Sequence, residues 1–154
     1  MITGAEMVEE FARNTRVLKR NLTEVNDDLA LIRMENGGNS INWLLGHMMK
    51  SRLDMLKLLG VTDADLYDRL EPYRRGRENG YLDSELLPLE ELVSRWDELG
   101  EHVNSALPGV NMEGDGGSFG TLGKAVLFYS FHEAYHIGQA GILRRAVGLE
   151  GKIG

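Results

Sequence analysis

The stretch EMVEEFARNTRVLKRNLTEVNDDLALI (residues 6–32) predicts the fold class of this 154-residue chain. Apolar side chains, with one threonine among them, recur in it at alternating spacings of three and four, as in a helix packed on its neighbours. These positions are Val8, Phe11, Thr15, Leu18, Leu22, Val25, Leu29 and Ile32. Thr3 and Glu6 have the spacing of a capping box, so one long helix is expected from about Glu6 to Ile32.

Three further segments show the same rhythm. NGGN (residues 36–39) breaks the first pattern, and Ser40 is placed to cap a second helix. That helix is expected to end near Leu59, where Gly60 suits the left-handed conformation that follows many helices. A third helix is expected to start at Pro88, a favourable first-turn residue.

The last long helix is expected to begin with Thr121 as its cap and to close at Gly148. No stretch alternates with period two over the length of a strand. The sequence therefore predicts a single domain over residues 1–154, an all-α four-helix bundle with a long connection between helices 2 and 3. Within that connection, residues 61–87, the segment TDADLYDRL is expected to form a short extra helix.

Composition and charge exclude several classes of protein. The 24 acidic and 17 basic residues give a net charge of −7, which disfavours nucleic acid and membrane surfaces as partners. No cysteine is present, so thiolate metal ligands are excluded. Without a signal-peptide pattern or an apolar run of about 18 residues, a cytoplasmic location is expected. The one basic cluster, Arg74, Arg75 and Arg77, is either a solvated loop or an anion-attracting rim beside a site.

The segment HEAYHIGQ (residues 132–139) carries the clearest candidate for chemistry. His132 and His136 are four residues apart, so a helix places them about 40° from each other on one face. That face is expected to point into the bundle, because it carries further core-type residues. These are Leu122, Ala125, Tyr129, Ala140 and Leu143. Buried imidazoles need partners, and either a divalent metal or hydrogen bonds within the core can supply them.

A metal site would need a third ligand, for which His47, His102 and a carboxylate are the candidates. His47 lies on the flank of the apolar stripe of the second helix, so its position alone leaves its role open. His102 has acidic neighbours and is expected on the exposed shoulder of the third helix. Asp54 points the same way as His47 and is a candidate to contact a substrate or a metal-bound group.

The pattern H-E-x-x-H also occurs in zinc peptidases, where the glutamate is the base and a third ligand follows. Here the only carboxylate downstream of His136 is Glu150, and the metzincin Gly and His positions hold Gln139 and Ile142. Glu133 is turned about 80° from the mean direction of the two histidines, so it should face a neighbouring helix or solvent. The sequence therefore disfavours a peptidase.

NWLLGH (residues 42–47) and HEAYHIGQ together resemble the DinB-like superfamily, which includes the YfiT-type bacillithiol transferases. The resemblance implies a metal triad of His47, His132 and His136 that binds nickel, zinc or iron(II). It also implies a homodimer. Because the family is functionally mixed, transfer of a low-molecular-weight thiol to an electrophile is only the reaction that the resemblance favours.

The leading hypothesis is a mononuclear three-histidine ion that activates a thiol or water. Tyr129 and Gln139 flank the two histidines at about 40° on the helix, so both are candidates, with Asp54, for orienting what binds there. Core packing is the alternative role for Tyr129 and Gln139. The alternative functions are a non-catalytic, metal-stabilised stress-response dimer and a metal-dependent hydrolase.

Overall fold

A computed structural model describes residues 2–34, 38–62, 65–77 and 81–152. Within these ranges the chain forms helices and turns and no strand, which confirms the all-α prediction. The helices are α1 (Gly4–Leu22), α2 (Asp27–Leu31), α3 (Ile41–Leu58), α4 (Leu89–Ala106) and α5 (Leu122–Ala146). The four long helices correspond to the predicted bundle. No helix in the described part of the chain combines the length and apolar character needed to cross a membrane.

The predicted helix from Glu6 to Ile32 is divided in two. α1 ends at Leu22, Glu24 has a positive φ of 66°, and the side chain of Asn26 caps α2 by accepting a hydrogen bond from Leu29 N–H. The guanidinium of Arg144 binds the carbonyl groups of residues 21 and 23 and so satisfies the end of α1 from outside. The heptad pattern continues across this break, which is why it did not reveal the break.

The predicted caps of α1, α3 and α5 are confirmed, whereas α4 begins at Leu89, one residue after its predicted start, with Pro88 as its N-cap. Thr3 and Glu6 form both halves of the capping box, and Ser40 and Thr121 accept hydrogen bonds from backbone N–H groups at the starts of α3 and α5. Gly60 and Gly148 have φ values of +91° and +89°, as expected after a helix.

Among its described residues, the long connection between α3 and α4 contains three short 3₁₀ turns, at Asp65–Tyr67, Glu71–Tyr73 and Asp83–Glu85. One of them falls in the predicted extra helix, whose residues 63 and 64 lie outside the described residues. Residues 36 and 37 of the predicted NGGN break also lie outside them.

α3 is deeply buried in its first half. It packs against α4 and α5, while α1 packs against α5 and α4. Every residue from 41 to 49 is buried, so the first half of α3 has no solvent-facing side. The predicted flank position of His47 is therefore inside the protein, where the side chain is only 8% exposed.

The core-facing register of α1 differs from the predicted apolar stripe at two positions. Asn14 and Asn21 are buried where the stripe had Thr15 and Leu22. Their side-chain amides donate to the carbonyl groups of Ser130 and Ile137 on α5, at 3.1 and 3.0 Å. These hydrogen bonds hold α1 against α5 just before His132 and just after His136 along α5.

Candidate metal centre

Three imidazoles from two helices meet in the bundle. His47 comes from α3, and His132 and His136 come from α5. Their ring centroids are 4.4 to 5.1 Å apart, and one potential ligand atom from each lies within 4.8 Å of the other two. This is the set that the resemblance implied.

The His47 ring is held by contacts on two sides. Its Nδ1 donates to the backbone carbonyl of Tyr73 at 2.8 Å, and its face stacks on the indole of Trp43 with centroids 4.7 Å apart. The Trp43 Nε1–H in turn donates to the carbonyl of Pro72 at 3.0 Å. Because Nδ1 faces this carbonyl, Nε2 is the His47 nitrogen that could bind an ion.

The contacts of His47 involve a short segment of the long connection, which we call the Tyr73 turn (Glu71–Tyr73). The Tyr73 ring lies directly over Gly46, where an added Cβ would come within 2.2 to 2.4 Å of ring carbons. The Tyr73 hydroxyl donates to Asn42 Oδ1 at 3.1 Å and accepts from Leu87 N–H at 2.7 Å. Besides His47, three residues of the NWLLGH segment therefore contact this turn. Asn42 and Trp43 do so through side-chain hydrogen bonds, and Gly46 does so by lying under the Tyr73 ring.

The His136 ring lies between two partners. Its Nδ1 is 2.6 Å from Gln139 Oε1, and its Nε2 is 3.1 Å from His132 Nε2. Because the amide oxygen accepts, His136 Nδ1 carries the proton, and Nε2 receives a hydrogen bond from His132 Nε2–H. His132 Nδ1 is then an unprotonated, buried nitrogen without a hydrogen-bond partner among the described residues. The Nε2 atoms of the two rings face each other, so an ion that replaced the proton between them could bind both nitrogens.

The histidines of α5 are neutral at physiological pH. Burial, followed by the neighbouring rings of His136 and His47, lowers the pKa of His132 from 6.5 to about 4. Burial also lowers the pKa of His136, although its hydrogen bond to Gln139 acts in the opposite direction. Neutral imidazole is the form that binds a metal, so neither ring has to lose a net proton first. His132 needs only to carry its proton on Nδ1 instead of Nε2 for Nε2 to bind an ion.

Glu133, between the two histidines, is fully engaged elsewhere. Its carboxylate accepts from Arg52 Nε and Nη2, each at 2.8 Å, and both side chains are 1% exposed. The Arg52 guanidinium also lies over the Trp96 ring, 3.7 Å from its centroid. Glu133 faces a neighbouring helix, as predicted, and it is not placed as the base of a peptidase. Sequence reasoning missed Arg52, because nothing in its local spacing distinguishes it from a surface arginine.

The remaining candidates lie around the centre or away from it. Gln139 contacts His136 as described, and its Nε2 donates to the Tyr135 hydroxyl at 3.2 Å. Tyr129 is half-buried, and burial together with the charge of Asp54 raises its pKa. Asp54 itself forms an ion pair with Lys50 at 3.0 Å. His102 is half-buried on α4 and is outside the three-histidine group.

The basic cluster lies next to the Tyr73 turn. Arg74 pairs with Glu71 at 2.7 Å, and Arg77 lies 3.5 Å from Glu85. Arg75 is exposed. Two of the three charges are therefore offset locally, which favours the solvated-loop interpretation over an anion-attracting rim.

A family model described as the DinB superfamily matches residues 10–140, which is most of the chain. The chain belongs to the DinB superfamily. Comparison with curated proteins and with solved structures gave no match. The region shared with the DinB superfamily includes His47, His132 and His136, all of α3 and α5 up to residue 140.

The chemistry of these residues fits a divalent metal ion. The three potential ligand atoms lie close together, two rings are fixed through Nδ1, and the α5 imidazoles are held neutral. Such a cluster in this DinB-superfamily chain could hold one ion. No carboxylate belongs to the group among the described residues, so the protein offers three ligands there and no fourth.

Proposed function

We propose that the chain binds one nickel, zinc or iron(II) ion through His47, His132 and His136 and transfers a low-molecular-weight thiol to an electrophile. The observation that carries the proposal is the convergence of three imidazoles, two of them oriented through Nδ1, with no carboxylate in the group among the described residues. Structural sites are closed by a fourth protein ligand, whereas catalytic sites keep a position open for a reactant. Three protein ligands therefore favour a reactive site over a purely structural one.

The ion, when bound, would supply positive charge that lowers the pKa of a thiol or water beside it. The chain's own contribution is to hold three uncharged rings, so that none of the ion's charge is cancelled by a ligand. The Tyr73 carbonyl orients His47, and Gln139 orients His136. Tyr129 stays protonated because its pKa is raised, so it can donate a hydrogen bond but does not act as a base near neutral pH.

The proposal is tested with a transfer assay in the full chain. The protein is reconstituted separately with nickel, zinc and iron(II), and low-molecular-weight thiols are supplied with a generic aromatic electrophile. We expect a C–S bond to form at the electrophilic carbon as its leaving group departs and the thiol proton passes to solvent. This reaction should depend on the metal and be lost in His132→Ala. His102→Ala, which changes a histidine outside the cluster, is the matched control and should retain turnover. No metal-dependent turnover with any thiol would contradict thiol transfer, and ester hydrolysis without thiol would instead indicate a metal-dependent hydrolase.

A metal-stabilised, non-catalytic dimer is the second candidate, and the outer face of α5 favours it. This apolar face of α5 carries five exposed side chains beside the histidines. They are Leu127, Phe128, Phe131, Tyr135 and Ile142, at 45 to 67% exposure. At roughly 100 Å² each, they expose roughly 500 Å² per chain, so two copies would bury about 1,000 Å², the lower bound for a specific interface. We therefore propose a second copy of this chain as the partner.

Thermal unfolding separates the two functions. If the ion only stabilises the bundle, His132→Ala should lower the melting temperature of the metal-loaded protein and leave no reaction to lose. If the ion serves catalysis, turnover should be lost with a much smaller change in melting temperature. We also propose that the protein is cytoplasmic and acts on small molecules, and that neither nucleic acid nor a membrane is its partner.

A further inference from the structure

The Tyr73 turn contacts four positions of one stretch of α3. Its tyrosine ring covers Gly46, its tyrosine hydroxyl binds Asn42, its proline carbonyl binds Trp43 and its tyrosine carbonyl binds His47. Only the last of these touches a candidate metal ligand. The other three fix where that carbonyl lies.

We propose that Tyr73 is a positioning residue for the metal centre, so that ion binding and the packing of the Tyr73 turn form one linked equilibrium. The inference rests on the proposed binding of a metal by His47. It assigns a role at the metal centre to the connection between α3 and α4, which supplies none of the three proposed ligands.

The orientation of the His47 ring depends on a group outside its own helix. The acceptor for its Nδ1–H is a backbone carbonyl from a segment 26 residues away, outside the helix that carries the histidine. Groups that accept from the outer nitrogen of a metal-binding histidine fix its tautomer and ring orientation, and they raise its basicity. The ligand strength of His47 therefore depends on how firmly the Tyr73 turn is held.

Buried hydrogen bonds hold the Tyr73 turn in place. The Tyr73 hydroxyl, Asn42 and Leu87 form a closed set of hydrogen bonds, since Asn42 Nδ2 also donates to the Leu87 carbonyl at 2.8 Å. All three residues are buried, so water does not replace a lost partner readily. Burial raises the pKa of Tyr73 to about 12, which keeps its O–H bond available as a donor. Leu87 ends the long connection, so this network anchors the far end of that connection as well.

Ion binding and the packing of the Tyr73 turn influence each other reciprocally. If a packed turn favours ion binding at His47, ion binding must favour the packed turn by the same free energy. The backbone N–H of Leu87 reports the packed state, because it donates to the Tyr73 hydroxyl. Its hydrogen exchange should therefore respond to metal, although Leu87 lies 40 residues from His47 in sequence.

The variant experiment compares two buried tyrosines of the same connection. Tyr73→Phe removes the hydroxyl that binds Asn42 and Leu87, whereas Tyr81→Phe removes a buried hydroxyl that has no partner among the described residues. Tyr81 also stacks on Trp43, at 6.3 Å, so the two variants alter neighbouring parts of one cluster. We expect zinc affinity, measured by chelator competition, to fall about 10- to 100-fold in Tyr73→Phe, and to stay within about twofold in Tyr81→Phe. In the Tyr73→Phe protein loaded with cobalt, the visible absorption bands should also shift.

Hydrogen exchange of the wild-type protein gives a readout that needs no variant. We expect zinc to slow exchange of the Leu87 amide by about 5- to 150-fold, and by more than it slows the amide of Leu99 in α4, which serves as the reference for global stabilisation. The inference would be overturned if folded Tyr73→Phe bound zinc with an affinity within about twofold of wild type. It would also be overturned if zinc slowed hydrogen exchange equally at the Leu87 and Leu99 amides. If Tyr73→Phe does not fold, the exchange result decides. A wild-type protein that binds no zinc, nickel or iron(II) would instead overturn the proposed function itself.

Discussion

Arg52 and Glu133 join α3 to α5 through two parallel hydrogen bonds, each 2.8 Å long, between side chains that are both 1% exposed. His47 precedes Arg52 by five residues on α3, and His132 directly precedes Glu133 on α5. The ion pair therefore fixes the register of the two helices that supply the three imidazoles. In the peptidase motif the same glutamate would be a base, but here its oxygens are occupied by a guanidinium.

The first prediction concerns this ion pair. Glu133→Ala should lower the free energy of unfolding by about 3–5 kcal/mol, because it leaves the buried Arg52 charge without its partner. Urea denaturation of the metal-free protein measures the change. Glu98→Ala, at an exposed position of α4, is the control and should stay within about 0.5 kcal/mol of wild type. An unchanged stability in Glu133→Ala, with turnover abolished, would restore the glutamate as a catalytic base.

The second prediction concerns pH. His132 has a pKa of about 4 in the folded protein and about 6.5 when unfolded, so the unfolded chain binds more protons between these values. The stability contributed by its neutral form is complete above pH 6.5 and is lost as the pH falls from about 6.5 to about 4. His136, whose pKa is also lowered, adds to the loss.

Unfolding free energies of the metal-free protein across this pH range measure the effect. The decline below pH 6.5 should be less steep in His132→Gln than in wild type, because that variant has one fewer group to titrate. His102→Gln is the histidine control. Identical pH dependence in wild type and His132→Gln would contradict the buried, neutral state assigned to His132.

The third prediction concerns the orientation of His136. Gln139→Leu removes the acceptor for His136 Nδ1 and should weaken zinc binding by about 10-fold or more. Gln139→Glu keeps an acceptor and adds charge, so zinc should bind at least as tightly as in wild type. Isothermal titration of the three proteins gives the comparison. Equal affinities in the Leu and Glu variants would show that this contact has no part in ligand orientation.

The fourth prediction concerns the apolar face of α5. A helix with apolar residues on both its inner and its outer side is generally covered on both, so the full chain should sediment as a dimer at micromolar concentration. Phe131→Glu, which places a charge in the middle of this face, should give monomers. Leu82→Glu is the matched control, because Leu82 is as exposed as Phe131, at 68% and 67%, but lies in the connection before α4. A monomeric wild-type protein would contradict the dimer.

The sequence alone predicted those features that depend on local chemistry. Caps such as Thr3, Ser40 and Thr121 act within one helical turn, and the spacing of His132 and His136 fixes their common face. The family resemblance added His47, which the helix pattern of α3 alone had left open. That pattern understated the burial of His47 because the Tyr73 turn, as well as neighbouring helices, covers the first half of α3.

Features that depend on distant partners were not predictable from local pattern. The end of α1 at Leu22 depends on Arg144, which is more than 100 residues later in the chain. Asn14 occupies a core position of α1 because a carbonyl of α5 accepts from it. The Tyr73 turn shows no repeat or motif, and its role becomes visible only when its carbonyl is seen beside His47.

X-ray absorption of the zinc-loaded full chain tests the three-histidine centre most directly. We predict one zinc ion per chain, coordinated by three imidazole nitrogens at about 2.0–2.1 Å with at least one non-protein ligand completing the shell. His47→Ala should reduce the imidazole count to two or abolish binding. Binding of no more than a small fraction of an equivalent of zinc, nickel or iron(II) per chain would contradict the three-histidine centre. A zinc coordination shell unchanged in His47→Ala would contradict it as well.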